Sequence, residues 1–367
     1  MSQRLTGLID AMPKCALTGP WACYWRHALR LYFVPSIRAK LEDVAQLAVT
    51  HSVPAHDLDA IAAETSLASA YAVLFKPRVS VMVIVTAAAG LYLGDLRSGV
   101  NPLHLQAFFA LAGIALVTCG SSVLNQVLER RSDARMPRTR SRPMVTGRIG
   151  LMHGLLLGFA AVIGGTLVLA AETNVLTTTL TLLTATGYVA IYTPLKRIST
   201  LNTFLGAFPG ALPPLIGWTA ARGQIEWPGV ALFAVLFVWQ FQHFMAIGWM
   251  YRDEYRHGGI RVAASQQPIE WAARSTIFQA LFYAVLMIPT ALWLTFLGVT
   301  GLPYAVAASL LSLWYLWSTM RFAGILRNPV VNDENRALAR NLLKVSVMYL
   351  PLLMAAMLLN AQGRAPF

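Results

Sequence analysis

From about residue 79 onward the chain alternates long apolar runs with short polar segments. Runs of about 18 or more residues with almost no charge read as helices able to cross a bilayer. Nine stand out, at 79–96, 104–128, 149–171, 174–193, 201–221, 229–250, 274–297, 302–320 and 341–360. No charge occurs between 275 and 320, a stretch too long for one crossing, and Gly298, Gly301 and Pro303 divide it. The pattern predicts an all-α, polytopic membrane protein of about nine transmembrane helices.

Charge adds an orientation. Of the 29 Lys and Arg residues, 26 fall in the N-terminal segment and in alternate loops, leaving Arg97, Arg222 and Arg364 on the other side. The positive-inside rule then puts the N-terminus and the basic loops in the cytoplasm. Only 12% of residues are charged and mean hydropathy is +0.56, whereas soluble domains carry about 25% charged residues. A water-soluble enzyme is excluded. The net charge of +13 sits between apolar runs, which points to an anionic membrane face and not to nucleic acid. Cys15, Cys23 and Cys119 have no paired spacing, so neither a disulfide framework nor a cysteine metal site is expected.

Residues 1–70 differ from the rest and read as a cytoplasmic or interfacial extension. Trp21, Tyr24, Trp25, Arg26, Arg30, Tyr32 and Phe33 cluster there, as in an interfacial amphipathic helix. The scarcity of acids before Glu42 gives a mitochondrial transit peptide as the competing reading.

The chemistry gathers after the second run. Asn125, Glu129 and Asp133 stand at i, i+4 and i+8, so a helix places all three on one face. Two carboxylates and an amide oxygen are hard ligands of the kind that hold Mg²⁺ together with substrate phosphates. Arg138, Arg140 and Arg142 follow at once, and guanidinium forks suit a diphosphate. A second acidic pair, Asp253 and Glu254, ends the sixth run beside Arg252. The two are adjacent, so they cannot point the same way on a helix. His243 lies one to two turns deeper among Trp239, Phe241 and Phe244. Lys196 and Arg197 occupy another loop on the same predicted side. No GxGxxG, Walker or CxxC motif occurs.

The run from Asn125 through Glu129, Asp133, Met136, Arg138, Thr139, Arg142 and Pro143 to Gly147 resembles the first signature of the UbiA-type membrane prenyltransferases. More narrowly, it is similar to their heme-farnesylating branch. Tyr192-Thr193-Pro194-Leu195-Lys196-Arg197, with Asn202, Gly206, Gly210, Pro213, Pro214, Gly217 and Trp218, resembles the second conserved stretch. Trp239 to His243, Trp249 and Tyr251 to Tyr255 with Gly258 and Gly259 resemble the third. The likeness covers about residues 72–360. Three positions depart from it: Glu129 and Glu254 stand where Asp is usual, and Gln242 where Pro is usual.

The resemblance implies helices bundled around a central cavity with a cytoplasmic-side active site. It implies farnesyl diphosphate and heme b as substrates, Mg²⁺ as cofactor, and heme o as product, on the route to heme a. Asn125, Glu129, Asp133 and Glu254 would hold metal, and Asp253 would join them in catalysis. Arg138, Arg142, Lys196, Arg197, Arg252 and His243 would bind substrate, His243 on the heme side. A bacterial inner membrane is favoured over the mitochondrial one, and a downstream heme a synthase is an expected partner, with no nucleic acid. Two readings stay open: a prenyltransferase acting on a quinone or chlorophyll precursor, and a polytopic transporter or assembly protein.

Overall fold

The computed structural model describes residues 66–363. The aromatic and basic cluster of the N-terminal extension, with Cys15 and Cys23, lies outside the described residues. The described residues fall within one compact unit. Their regular structure is all helix, apart from an isolated bridge between Thr300 and Ala361.

A short helix, α1 (Leu67–Phe75), leads into α2 (Pro77–Ser98), α3 (Leu105–Asp133), the single turn α4 (Pro143–Thr146) and α5 (Leu151–Glu172). Then come α6 (Val175–Leu195), α7 (Asn202–Arg222), α8 (Trp227–Met250), the short α9 (Arg252–His257), α10 (Ile269–Phe296), α11 (Leu302–Phe322) and α12 (Asp333–Leu359). The long helices fall on the nine apolar runs. Seven of them are long and apolar enough to cross a membrane: α2, α3, α5, α6, α8, α10 and α12. The expected nine is therefore not reached on that measure, for a definite reason.

Helix α7 holds Pro209, Pro213 and Pro214 with several glycines, and α11 holds serines, tyrosines and a threonine. Most of these turn inward, as Gly206, Pro213, Pro214 and Gly217 of α7 do. Tyr304, Ser312, Tyr315 and Thr319 of α11 are buried. Tyr304 donates to Ala291 O at 3.0 Å, Ser312 meets the Tyr349 hydroxyl at 2.9 Å, and Tyr315 donates to Trp239 O at 3.1 Å. A polar side chain in an apolar bundle is tolerated where it finds such a partner. The outward side of α11 stays apolar through Leu302, Val306, Leu310, Leu313, Trp317 and Met320, all exposed.

Of the four apolar clusters among the described residues, the two largest join the long helices. A large one joins α8, α10, α11 and α12 around Trp249, Met287, Phe322 and Tyr349, with Leu93 of α2 and Trp218 of α7 at its edge. A smaller one joins α2, α3, α5, α6 and α7 around Ala87, Ile114, Leu169 and Ile216. Helices α2 and α7 touch both, and they approach almost backbone to backbone. A Cβ on Gly217 would lie 1.8 Å from Ala87 O, and one on Gly90 would lie 1.9 Å from Pro214 O. Only hydrogen fits at these two points.

Gly217→Ala should force α2 and α7 apart and cost about 3 kcal/mol, as overpacked cores do. Gly164→Ala, in α5 where an added Cβ meets nothing within 4 Å, should be neutral or slightly stabilising. Thermal unfolding of the two purified variants, read against the parent, checks the contrast.

Candidate active site

The three oxygen-bearing residues of α3 do share a face, and all three are buried: Asn125 at 0%, Glu129 at 8% and Asp133 at 2% exposure. Burial of polar groups at a membrane edge needs compensation, and each finds it in a cation from another segment. Lys76 Nζ donates to Asn125 Oδ1 at 2.5 Å. Lys196 Nζ pairs with Glu129 Oε1 at 2.6 Å. Arg142 Nη1 pairs with Asp133 Oδ2 at 2.6 Å.

Local chain geometry sets each cation. Lys76 sits between α1 and α2 with φ 48°, the only non-glycine residue among those described with positive φ. That left-handed turn is unfavourable for a side chain of this size, and Pro77 starts α2 directly after it. The kink aims the ammonium inward, where it also approaches the Tyr188 hydroxyl at 3.4 Å.

Lys196 follows a widened turn. Residues Gly187–Tyr192 of α6 form a π-helix, a form that often marks functional positions. Thr193 Oγ1 donates to Tyr188 O at 2.8 Å and accepts from Asn125 Nδ2 at 2.9 Å. Asn125 thus ties the wide turn to α3, and Lys196 Nζ rests 4.3 Å from the centre of the Tyr192 ring. Arg142 is presented by a loop that folds back on the end of α3, where Thr139 Oγ1 donates to Asp133 O at 2.9 Å.

Their surroundings shift the pKa values of the two lysines in opposite directions. Burial pushes Lys76 down to about 7, opposed by Glu129. Burial works against the Lys196 ammonium as well, but the Tyr192 oxygen and the Glu129 carboxylate outweigh it and hold its pKa above the ordinary lysine value. A carboxylate partner keeps a buried ammonium charged, while an amide oxygen does so far less well.

The second acidic block packs beside the first. Arg138 lies over the Tyr251 ring at 4.8 Å and 6.0 Å from that of Tyr255. A Cβ on Gly258 would sit 2.9 Å from the Met136 side chain, so glycine lets this loop lie close. Lys196 O accepts from Arg261 N at 2.7 Å, and Asn202 Nδ2 donates to Arg261 O. Arg197 Nη2 donates to Ser132 Oγ at 3.1 Å. Residues 129–142, 192–202 and 251–262 therefore converge at one end of the bundle.

Within that convergence the candidates separate. Glu254 keeps Oε2 buried with no hydrogen-bond partner. Asp253 is half-buried. Among the described residues no three His, Cys, Asp or Glu side chains come together as a metal cluster, so Glu254 does not join Glu129 and Asp133 in one. Arg252 is 1% exposed, donates to Gln266 O at 2.9 Å and lies 5.7 Å from the Trp249 ring. It braces the turn before α10.

His243 lies away from the cations, stacked 5.2 Å from Trp239. Its Nδ1 is 2.8 Å from Ser346 Oγ, which itself donates to Leu343 O at 2.7 Å. Ser346 Oγ must then accept from Nδ1–H, which leaves the lone pair on Nε2. Gln242 is fully buried with neither amide atom partnered, and nothing in the structure explains that residue there. A cavity of about 60 Å³ under Tyr192 is lined also by Asn202, Phe244, Gly248 and Tyr255. It is smaller than the roughly 300–1,000 Å³ usual for ligand pockets.

Sequence reasoning missed Lys76, Tyr188 and Thr193. The available signal for Lys76 was a lysine directly before the proline that opens the first span, on the basic side.

A helical membrane bundle with a carboxylate–amide face ringed by cations is suited to a substrate with an anionic head and an apolar body. The chain belongs to the UbiA prenyltransferase family, whose model matches residues 81–338. It is 43% identical over 295 residues to the protoheme IX farnesyltransferase of Koribacter versatilis, covering 80% of this chain and 94% of that one. Among solved structures it resembles digeranylgeranylglyceryl phosphate synthase, at 15% identity and TM-score 0.64, over 80% of this chain and 97% of the other. A UbiA homologue from Archaeoglobus fulgidus bound to DMAPP and Mg²⁺ matches at 15% identity and TM-score 0.52, over 78% and 98% of the two chains.

Removing one partner of a buried ion pair strands the other. Lys196→Met should therefore destabilise the protein by about 3 kcal/mol, and adding Glu129→Met should recover most of that loss. A double-mutant cycle followed by thermal unfolding measures it.

Proposed function

We propose that this chain transfers the farnesyl group of farnesyl diphosphate to the 2-vinyl group of heme b, forming heme o. The observation that carries the reading is the α3 face, where three buried oxygens each meet a side-chain cation. The near full-length likeness to protoheme IX farnesyltransferases supports the choice of substrates.

The oxygens of Asn125, Glu129 and Asp133 are hard donors of the kind a divalent cation takes, gathered on one helix face and each accepting from a positive group at 2.5–2.6 Å. These residues would hold Mg²⁺, and Glu254, whose Oε2 is buried without a partner, is a second acidic position on the neighbouring short helix α9. When bound, Mg²⁺ neutralises negative charge on the departing diphosphate. The protein groups do the rest. Arg138, Arg142, Lys196 and Arg197 grip the diphosphate oxygens and stabilise charge as the allylic C–O bond breaks. Tyr188, Tyr192 and the apolar bundle keep water from the farnesyl cation. The vinyl π electrons form the new C–C bond, and water then adds to the resulting cation and releases a proton, leaving a hydroxyethylfarnesyl group. No covalent link to the enzyme is needed.

His243 serves the heme, with its Nε2 lone pair free to approach iron. Asp253 supports the acidic rim, and Arg252 shapes it from behind. The chain works in a bacterial inner membrane with its N-terminus in the cytoplasm, and a heme a synthase takes its product.

Membranes containing the protein, supplied with farnesyl diphosphate, heme b and Mg²⁺, should yield heme o by mass spectrometry. Unchanged heme under conditions that prenylate a quinone precursor would move the chain to another branch. Asp133→Asn should lower turnover by at least about 100-fold with folded protein retained, and near-normal turnover would defeat the metal assignment. His243→Ala should weaken heme binding in an absorbance titration while leaving farnesyl diphosphate affinity unchanged.

A further inference from the structure

A second, larger cavity lies outside the α3 site. It has a volume of about 650 Å³ and opens where α11 turns into α12. Helix alternation puts this turn at the same end of the bundle as Asp133 and Lys196. Its charged lining is Arg321, Arg327 and Glu334, with the amides of Asn328, Asn332 and Asn335 around them.

Three features make this a formed site. First, its rim is pinned. Asn335 Nδ2 donates to Asn328 O and to Val330 O, both at 2.8 Å, while Asn332 Oδ1 caps α12 by accepting from Asn335 N at 2.8 Å. Second, both guanidiniums lack a hydrogen bond or ion pair among the described residues. Arg321 rests instead 5.1 Å from the centre of the Trp317 ring. Third, the cavity ends the apolar stripe of α11. Leu310, Leu313, Trp317 and Met320 are all exposed and spaced by three or four residues, so they run in one line toward Arg321.

A basic pocket at the end of an apolar helix track matches the two ends of a phospholipid: phosphate on the arginines, acyl chain along the stripe. Glu334 decides the class. A purely anionic headgroup would leave that carboxylate facing a second negative charge. A headgroup with phosphate and a primary ammonium satisfies all three charged side chains, and the surrounding amide oxygens can accept the remaining N–H bonds.

We propose that the α11–α12 cavity is a binding site for one phosphoethanolamine lipid, with its phosphate between Arg321 and Arg327 and its ammonium on Glu334. The proposal stands independently of the reaction assigned above.

The test is native mass spectrometry of the full chain in neutral detergent. The probes are dioleoyl phosphatidylethanolamine, phosphatidylcholine and phosphatidylglycerol at equal concentration. One phosphatidylethanolamine should be retained with at least about fivefold preference over each of the others, equivalent to roughly 1 kcal/mol. Arg321→Gln with Arg327→Gln should abolish that retention. Glu334→Gln should reverse the preference toward phosphatidylglycerol, a change that misfolding does not produce. Millimolar inorganic phosphate should not displace the lipid, since the stripe holds the chain. Equal retention of the three lipids, displacement by phosphate alone, or an unchanged preference in Glu334→Gln would each overturn the proposal.

Discussion

Everything at the reactive end depends on one constraint: oxygens buried at a membrane edge must face positive charge. Asn125, Glu129 and Asp133 satisfy it through three cations that belong to three different segments. The pairs therefore fix more than the site. They fasten the α1–α2 junction, the end of α6 and the loop after α3 to a single helix face. Because a stranded member of such a pair is costly, site geometry and local folding are one problem.

That face needs a stable platform, and the contact of α2 with α7 supplies it. Gly90 and Gly217 bring the two backbones together where any Cβ would collide with a carbonyl. This holds the smaller core, which includes the site helix α3, against the larger core of α8 and α10–α12. The apolar effect does little to join helices within lipid, so shape at such contacts carries much of the association. The inward hydrogen bonds of Tyr304, Ser312 and Tyr315 do similar work for α11.

The sequence was most legible where its period matches the structure's own. The apolar runs located the long helices, and the i, i+4, i+8 spacing placed Asn125, Glu129 and Asp133 together because a helix repeats every 3.6 residues. The count of spans was harder to read at α7 and α11, helices of 21 residues each on the expected runs, because their prolines, glycines and hydroxyls dilute the apolar signal. Lys76 was overlooked for a different reason. Its role arises from a left-handed backbone turn and from a partner 49 residues away, and neither leaves a periodic trace. Arg252 looked like a substrate ligand beside two acids, yet a buried guanidinium also finds a carbonyl, and here it finds that of Gln266.

The Glu at position 129 shows how a departure from the family's usual residue can be absorbed. A glutamate carries its charge one methylene further from the helix than an aspartate does. On α3 that longer arm meets Lys196, itself carried by the π-helical end of α6 and the Tyr192 ring. Two carboxylates are thus answered by Lys76, Lys196 and Arg142, with Arg138 and Arg197 close by, so positive charge exceeds negative at this end. Such an excess is poorly matched to a bare metal ion and well matched to an anion that brings its metal with it. That surplus makes a metal-bound prenyl diphosphate, the substrate proposed above, its natural complement.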